Sequence, residues 1–304
     1  MNLLNNNNEE DSYAGFIALL GAPNAGKSTL LNQLVGSKVS IVTHKVQTTR
    51  SVIQGIVVKD NYQVIFLDTP GIFSPKGAMD KMMVGQAWGS VKESDIVTVL
   101  IDASLGFKDI NKQIVESVRD IKIPKILVLN KIDLVRHQDI LELIASINKE
   151  NKFDHIFMLS ALHGKNCQEY LDTVCSMLPK SKFYYDDDSI SNISMRELAA
   201  EITREKVFLR VHKELPYSIA VKTEKYEELK DGSIRINQVI FVEREGQKKL
   251  LLGYNGGTIK SIGKQSRIEL AEITGKKVHL FLFVRVQKNW KQRPEEYCLL
   301  NNEL

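Results

Sequence analysis

The chain has 304 residues, 43% of them hydrophobic and 26% charged, with a formal net charge of +4, which suits a soluble globular protein of two ordinary domains. No run of 18 or more apolar residues occurs, so a membrane-spanning helix is excluded. The three cysteines, Cys167, Cys175 and Cys298, form an odd set without metal-ligand spacing, as in a reducing cytoplasm, and read as incidental thiols.

Residues 1–13 are expected to be a disordered lead-in. Met1 to Asp11 is Asn-rich with three acids, unlike a signal or transit peptide. Residues 14–178 then alternate apolar runs with helical patterns. The runs are Phe16 to Leu20, Val64 to Leu67, Ile96 to Ile101, Ile126 to Leu129 and Ile156 to Leu159. Nearly continuous hydrophobicity of this kind marks strands buried on both faces of a parallel sheet. The helical stretches are Ser28 to Val35, Ile110 to Asp120, Ile140 to Lys149 and Cys167 to Leu178. Together they predict a doubly wound α/β domain, with Ser51 to Lys59 as an antiparallel edge strand. A polar, acidic linker is placed at 179–193. A second, smaller α+β domain follows at 194–291, opening on a helix with Ser194 as N-cap and Glu197 completing a capping box. Strands are expected at Tyr217 to Thr223, Ile234 to Glu243 and Val278 to Gln287, and a helix at Ile259 to Thr274 stopped by Gly275. The tail, 292–304, carries no assignment.

Gly21-Ala22-Pro23-Asn24-Ala25-Gly26-Lys27-Ser28 fits the phosphate-binding pattern G-x-x-x-x-G-K-[ST]. It follows a strand and opens a helix, so backbone N–H groups from Gly21 through Thr29 can wrap phosphates at a helix N-terminus. Lys27 is expected on the β- and γ-phosphates and the Ser28 hydroxyl on Mg²⁺. Asp68-Thr69-Pro70-Gly71 ends the next strand, placing a carboxylate near the metal and the Gly71 amide near the γ-phosphate. Asn130-Lys131-Ile132-Asp133 ends another. Asp133 can accept from N1–H and N2–H₂ of guanine, a donor edge adenine lacks. Ser160-Ala161-Leu162 ends the last strand, where the Ala161 N–H is expected to reach guanine O6. All four lie at strand C-terminal ends, where open α/β sheets bind ligands.

The order of these elements resembles that of Ras-like GTPases. The resemblance places Gln47-Thr48-Thr49-Arg50 in a mobile first switch, with Thr49 favoured over Thr48 to complete the Mg²⁺ shell. Where such proteins carry a water-orienting glutamine, this chain has Ile72. Catalysis must then rely on another group, a monovalent cation or a partner, and intrinsic turnover is expected at about 10⁻⁴ to 10⁻² s⁻¹. Gly-x-Pro-Asn at 21–24 resembles the subclass whose asparagine binds K⁺, which adds K⁺ as a candidate ion. Asn24 as a plain loop residue stands beside that reading.

Charge sets the last third apart. From Ala220 to Lys291, 15 Lys and Arg stand against 8 Asp and Glu. This surplus of seven leaves the rest of the chain at −3 and points to an anionic partner. Gly253-Tyr254-Asn255-Gly256 is a Gly-x-x-Gly turn opening a helix, bracketed by Lys248, Lys249, Lys260 and Lys264. Such a loop grips single-stranded RNA in KH domains, here of the prokaryotic type.

With Gln-Thr-Thr-Arg at 47–50, Asp-Thr-Pro-Gly-Ile at 68–72, Glu-Leu-Pro-Tyr-Ser at 214–218 and Val-His-Leu-Phe-Leu-Phe-Val at 278–284, the chain resembles the Era-type bacterial GTPases of the Era/TrmE group along residues 14–291. The resemblance implies a monomeric cytoplasmic GTPase that uses GTP, GDP and Mg²⁺. It implies binding to the 3′ end of small-subunit (16S) ribosomal RNA and to the 30S precursor, not to DNA, and loose inner-membrane association. Tyr254-Asn255 departs from the basic loop interior usual in the family, which shifts weight to Lys260. The competing expectation is a GTP-sensing scaffold with little hydrolysis whose KH half holds a protein or membrane.

Overall fold

The computed structural model describes residues 12–45, 48–150, 152–211 and 215–293. Most of the expected lead-in, Gln47, Cys298 and the tail after Arg293 lie outside the described residues. The chain divides into two compact units. The first holds Met1–Val39, Val52–Phe73 and Ala87–Asn192, and the second Ser40–Ser51, Ser74–Gln86 and Ile193–Leu304.

The first unit runs β1 (Tyr13–Gly21), α1 (Lys27–Val35), β2 (Ile53–Lys59), β3 (Tyr62–Asp68), α2 (Ala78–Lys92, whose first turns group with the second unit), β4 (Ile96–Asp102), α3 (Asp109–Ser117), β5 (Lys125–Asn130), α4 (His137–Glu150), β6 (His155–Met158) and α5 (Cys167–Met177). The six strands lie in the order β2-β3-β1-β4-β5-β6. Only β2 is antiparallel, at the edge beside β3, and the rest are parallel. All seven residues of β4 are buried, as the unbroken apolar run requires of a central strand. Of its two polar side chains, Thr98 shares a 2.8 Å hydrogen bond with the Tyr170 hydroxyl and Asp102 accepts from the Lys131 ammonium at 2.6 Å, so burial leaves neither unsatisfied. Cys167 and Cys175 are buried in α5, and burial pushes both thiols up to about 11, which makes them inert.

The second unit continues with α6 (Met195–Arg210), β7 (Ile219–Glu228), β8 (Ile234–Val242), α7 (Glu245–Leu252), α8 (Gly257–Thr274) and β9 (Val278–Val286). The capping box at the start of α6 is present. Ser194 Oγ accepts from Glu197 N at 3.2 Å and Glu197 Oε2 accepts from Ser194 N at 3.0 Å. β7 and β8 pair antiparallel, β8 and β9 parallel, and α7 with α8 makes the crossover that a parallel pair demands. Val207, Phe208, Val221, Ile240 and Ile262 form the centre of its core.

The segment Ser40–Ser51 is tied within this second unit. Arg50 is 4% exposed. Its guanidinium donates to the Ile219 carbonyl at 2.6 Å and the Pro216 carbonyl at 3.3 Å, and lies 5.6 and 5.7 Å from the ring centres of Phe208 and Trp290. Lys45 donates to the carbonyls of Phe208 and Val211 at the end of α6, where the helix dipole favours a cation. Arg204 donates to the Thr48 carbonyl at 2.6 Å.

Two helices escaped the sequence patterns. α2 carries Gly85 and Gly89 in its interior, each about 1 kcal/mol worse than alanine, and its apolar residues do not gather on one stripe. α7 is eight residues long and ends in three consecutive leucines, too short and too one-sided to show a period. The chain after Gly71 is helical from Ala78. Among the described residues no helix is long and apolar enough to cross a membrane.

Candidate nucleotide site and RNA loop

β1 leads straight into the phosphate-type turn at the point where the sheet's order reverses, between β3 and β4. Gly26 adopts a φ of +99°, and a Cβ there would stand 2.1 Å from Asn130 Nδ2, so only glycine lets the turn approach the end of β5. α1 begins at Lys27, its first N–H groups facing the turn without a side-chain cap, as an anion site needs.

Lys27 is 6% exposed. Its ammonium donates to the carbonyls of Gly21 at 3.1 Å and Ala22 at 3.2 Å. Burial lowers its pKa to about 8, against the opposing pull of Asp68. Asp68, wholly buried, accepts from the Ser28 hydroxyl at 2.6 Å. Thr69 anchors the strand end by donating to the Leu19 carbonyl at 2.6 Å. Gly71 lies against Pro23, where a Cβ would meet three atoms at 2.8 Å, and the next amide, of Ile72, donates to the Gly21 carbonyl at 3.0 Å. Ile72 itself is packed into the core with Leu20, Val99 and Ala87. It cannot face water.

Among the described residues no group of three or more His, Cys, Asp or Glu is placed to hold a metal. A buried carboxylate with one hydroxyl beside it fits Mg²⁺, which takes most of its oxygens from water and phosphates. Thr49 is 8% exposed and belongs to the segment that groups with the second unit. Asn24 is exposed with φ +65°, a left-handed conformation that asparagine tolerates better than most residues.

Asn130 ties the turn to the end of the sheet. Its Nδ2 donates to the Ala25 carbonyl at 2.9 Å, and its Oδ1 accepts from Lys131 N at 2.8 Å and Ala161 N at 3.0 Å. The Ala161 amide is thus already satisfied by Asn130, so a guanine O6 reaching that amide shares it. Lys131 holds φ +63° and its ammonium pairs with Asp102 at 2.6 Å. Asp133 sits beside Ser160, whose hydroxyl holds the carboxyl below its ordinary range, and His163 Nε2 is 3.8 Å away. Leu162 is largely exposed and Ala161 buried. Asp102 was missed by sequence reasoning. The signal was there: it ends β4 as Asp68 and Asn130 end their strands.

In the second unit the Gly-x-x-Gly turn joins α7 to α8. Gly253 (φ +73°) would bring a Cβ within 2.2 Å of Thr258 Oγ1. Tyr254 is 91% exposed, Asn255 has φ +47°, and Gly256 caps α8 in the left-handed region. Lys249, Lys260 and Lys264 are exposed around the loop, and Lys248 is half-buried.

The profile of the 50S ribosome-binding GTPase family matches residues 16–131, and that of the KH domain residues 214–291. The GTPase Era of Mesorhizobium japonicum is 54% identical over 94% of this chain and 92% of its own length. That of Agrobacterium fabrum is also 54% identical, over 93% and 90%. The chain belongs to the Era family of GTPases. Two solved structures of Era superpose over the same extent. One is Era in complex with MgGDPNP and nucleotides 1506–1542 of 16S ribosomal RNA, with a TM-score of 0.90 at 38% identity, over 94% of this chain and 97% of the other. The other is an Aquifex aeolicus Era variant bound to GDP and AlF4⁻, with a TM-score of 0.89 at 38% identity, over 93% and 97%. The present family member is a Ras-like GTP hydrolase with a C-terminal KH-type domain.

Proposed function

We propose that this Era-family GTPase binds small-subunit (16S) ribosomal RNA through its KH domain and acts as a GTP-dependent switch in assembly of the 30S precursor. The observation that carries the RNA half is the Gly253–Gly256 turn. Its two glycines leave the backbone bare at either end, Tyr254 and Asn255 stand exposed between them, and three exposed lysines surround it, as a phosphate-gripping loop requires. On this reading the two domains span 14–178 and 194–291 and the protein works in the cytoplasm. Nothing on the described surface supports the inner-membrane association.

At the nucleotide, the amides from Asn24 to Thr29 cradle the phosphates, Lys27 neutralises the β- and γ-oxygens, and the Gly71 amide donates to the γ-phosphate. Ser28, Asp68 and Thr49 would hold Mg²⁺, which when bound supplies positive charge to the oxygens of the transferring phosphoryl group. Asn130 and Lys131 shape the base pocket with Ser160, Ala161 and Leu162, and Asp133 reads guanine. Thr49 adjoins Arg50, which is anchored on Ile219, Phe208 and Trp290. On the switch reading, GTP orders this segment.

The RNA test changes Tyr254 and Asn255 together to Asp. Both sites are exposed and Asp tolerates the left-handed backbone at 255, so the fold and GTP affinity are expected to hold. Two negative charges beside an RNA phosphate are expected to weaken binding of a small-subunit RNA fragment by ~100-fold or more at low salt. Filter binding at two salt concentrations reads this, and wild-type affinity in the double variant removes the loop from the RNA site.

Because Ile72 is locked in the core, the water-orienting and charge-stabilising role falls elsewhere, and K⁺ beside Asn24 is the candidate. Phosphate release is expected to fall when Na⁺ replaces K⁺, and Asn24→Ala to erase the difference. Equal rates in both salts would leave Asn24 as a loop residue. Release at background in either salt favours the scaffold alternative.

A further inference from the structure

The cores of the second unit take in Leu280, Leu282, Val284 and Val286 of β9. Strand alternation therefore sends Phe281, Phe283 and Arg285 to the opposite face of the sheet. There the two phenyl rings are 46% and 56% exposed, two residues apart on one strand. The register sets Asn237 beside Phe281 and Val239 beside Phe283 on β8, with Lys225 and Lys222 next along on β7. The Arg235 guanidinium lies 5.4 Å from the centre of the Phe281 ring, and that of Arg285 lies 5.9 Å from Phe241. The cations flank the exposed rings without burying them. Two acids temper the charge, Glu227 paired to Lys225 at 2.8 Å and Glu224 near Arg285 at 3.7 Å. Lys222, Lys225, Arg235 and Arg285 still outnumber them. The Asn237 Oδ1 atom, buried between the neighbouring side chains, has no hydrogen-bond partner among the described residues.

We propose that this outer sheet face is a second contact for single-stranded RNA, apart from the Gly253–Gly256 loop. It rests on the RNA reading above. Successive unstacked bases lie on Phe281 and Phe283, and phosphates run along the flanking Lys and Arg side chains. Paired aromatics on an open sheet with basic neighbours are how sheet platforms bind extended strands. A cationic surplus argues against a second copy of this chain, since two such faces repel.

The test uses the full-length protein and an oligonucleotide from the 3′ end of small-subunit ribosomal RNA, long enough for both contacts and carrying 4-thiouridine. Photo-crosslinks mapped by mass spectrometry are expected at residues 281–283 as well as near the loop. Phe281→Ala with Phe283→Ala is expected to weaken binding ~10-fold or more with an unchanged thermal melt, and the Phe281→Tyr, Phe283→Tyr pair to bind as wild type because stacking survives. If wild type and the loop variant differ as expected while the alanine pair binds normally and no crosslink maps to β9, this proposal fails and the RNA reading stands. Loss of self-association in the alanine pair, with RNA affinity intact, assigns the face to a second copy instead. Wild type that binds no RNA overturns both.

Discussion

Lys27→Ala is expected to take GTP hydrolysis to background, a fall on the order of 10³-fold. The ammonium is held in the turn by the carbonyls of Gly21 and Ala22 at 3.1 and 3.2 Å, so it is positioned before nucleotide arrives and needs no reorganisation when charge develops. Its environment adds a second signature. Burial has lowered its pKa from 10.5 to about 8, whereas phosphate oxygens favour the charged form. Below pH 8 the free protein already carries the proton and binding moves none. Above pH 8 the free protein has lost it, binding takes a proton up, and affinity falls as pH rises. The folding linkage runs in the opposite direction. Between about 8 and 10.5 the unfolded chain holds a proton that the folded chain lacks, so this residue's contribution to stability rises with pH in that window. Calorimetry of nucleotide binding at pH 7 and 9 in buffers of different ionisation enthalpy reads the proton directly. Uptake at pH 9 that persists in Lys27→Ala belongs to another group and removes this account.

The parts legible in the sequence share a physical cause. β1, β3, β4 and β5 are buried on both faces, so composition alone betrays them, and the nucleotide motifs sit at their ends because ligands bind there in open α/β sheets. The box Ser194/Glu197 is local chemistry and survives folding unchanged. What stayed hidden depends on partners distant in sequence. α2 keeps its helix despite Gly85 and Gly89, and α7 is held by packing of Leu251 rather than by a period. The Ala161 amide looked free for a base, but its use by Asn130 emerges only when β5 and the loop after β6 are brought side by side. Ile72 read as a missing glutamine; its burial beside Leu20 and Val99 shows the position to be part of the core. Arg50 read as a switch residue, and nothing near it in sequence announces that Ile219, Phe208 and Trp290 receive it.

Asp133→Asn is expected to transfer preference from GTP to xanthosine triphosphate, with discrimination shifting by up to ~10⁴-fold. The carboxyl is held below its ordinary range by the Ser160 hydroxyl beside it, so at any assay pH near neutrality it is an acceptor only. Guanine offers N1–H and N2–H₂ to such a group. An asparagine presents one acceptor and one NH₂ donor in the same outline, so the donor faces N2–H₂ and a buried polar pair becomes mismatched. Xanthine carries a carbonyl where guanine carries that amine, and the amide then matches both of its edge groups. The change conserves volume, and Asp133 lies outside the hydrophobic core, so the melting temperature without nucleotide is expected to stay near that of wild type. The supports of the pocket are untouched, because Asn130 still bridges Ala25 and Ala161 and Lys131 still pairs with Asp102. A competition titration of GTP against xanthosine triphosphate, run on both proteins, measures the ratio directly. Unchanged GTP selectivity in the variant would place the base away from Asp133 and require another acceptor at the ends of β5 and β6.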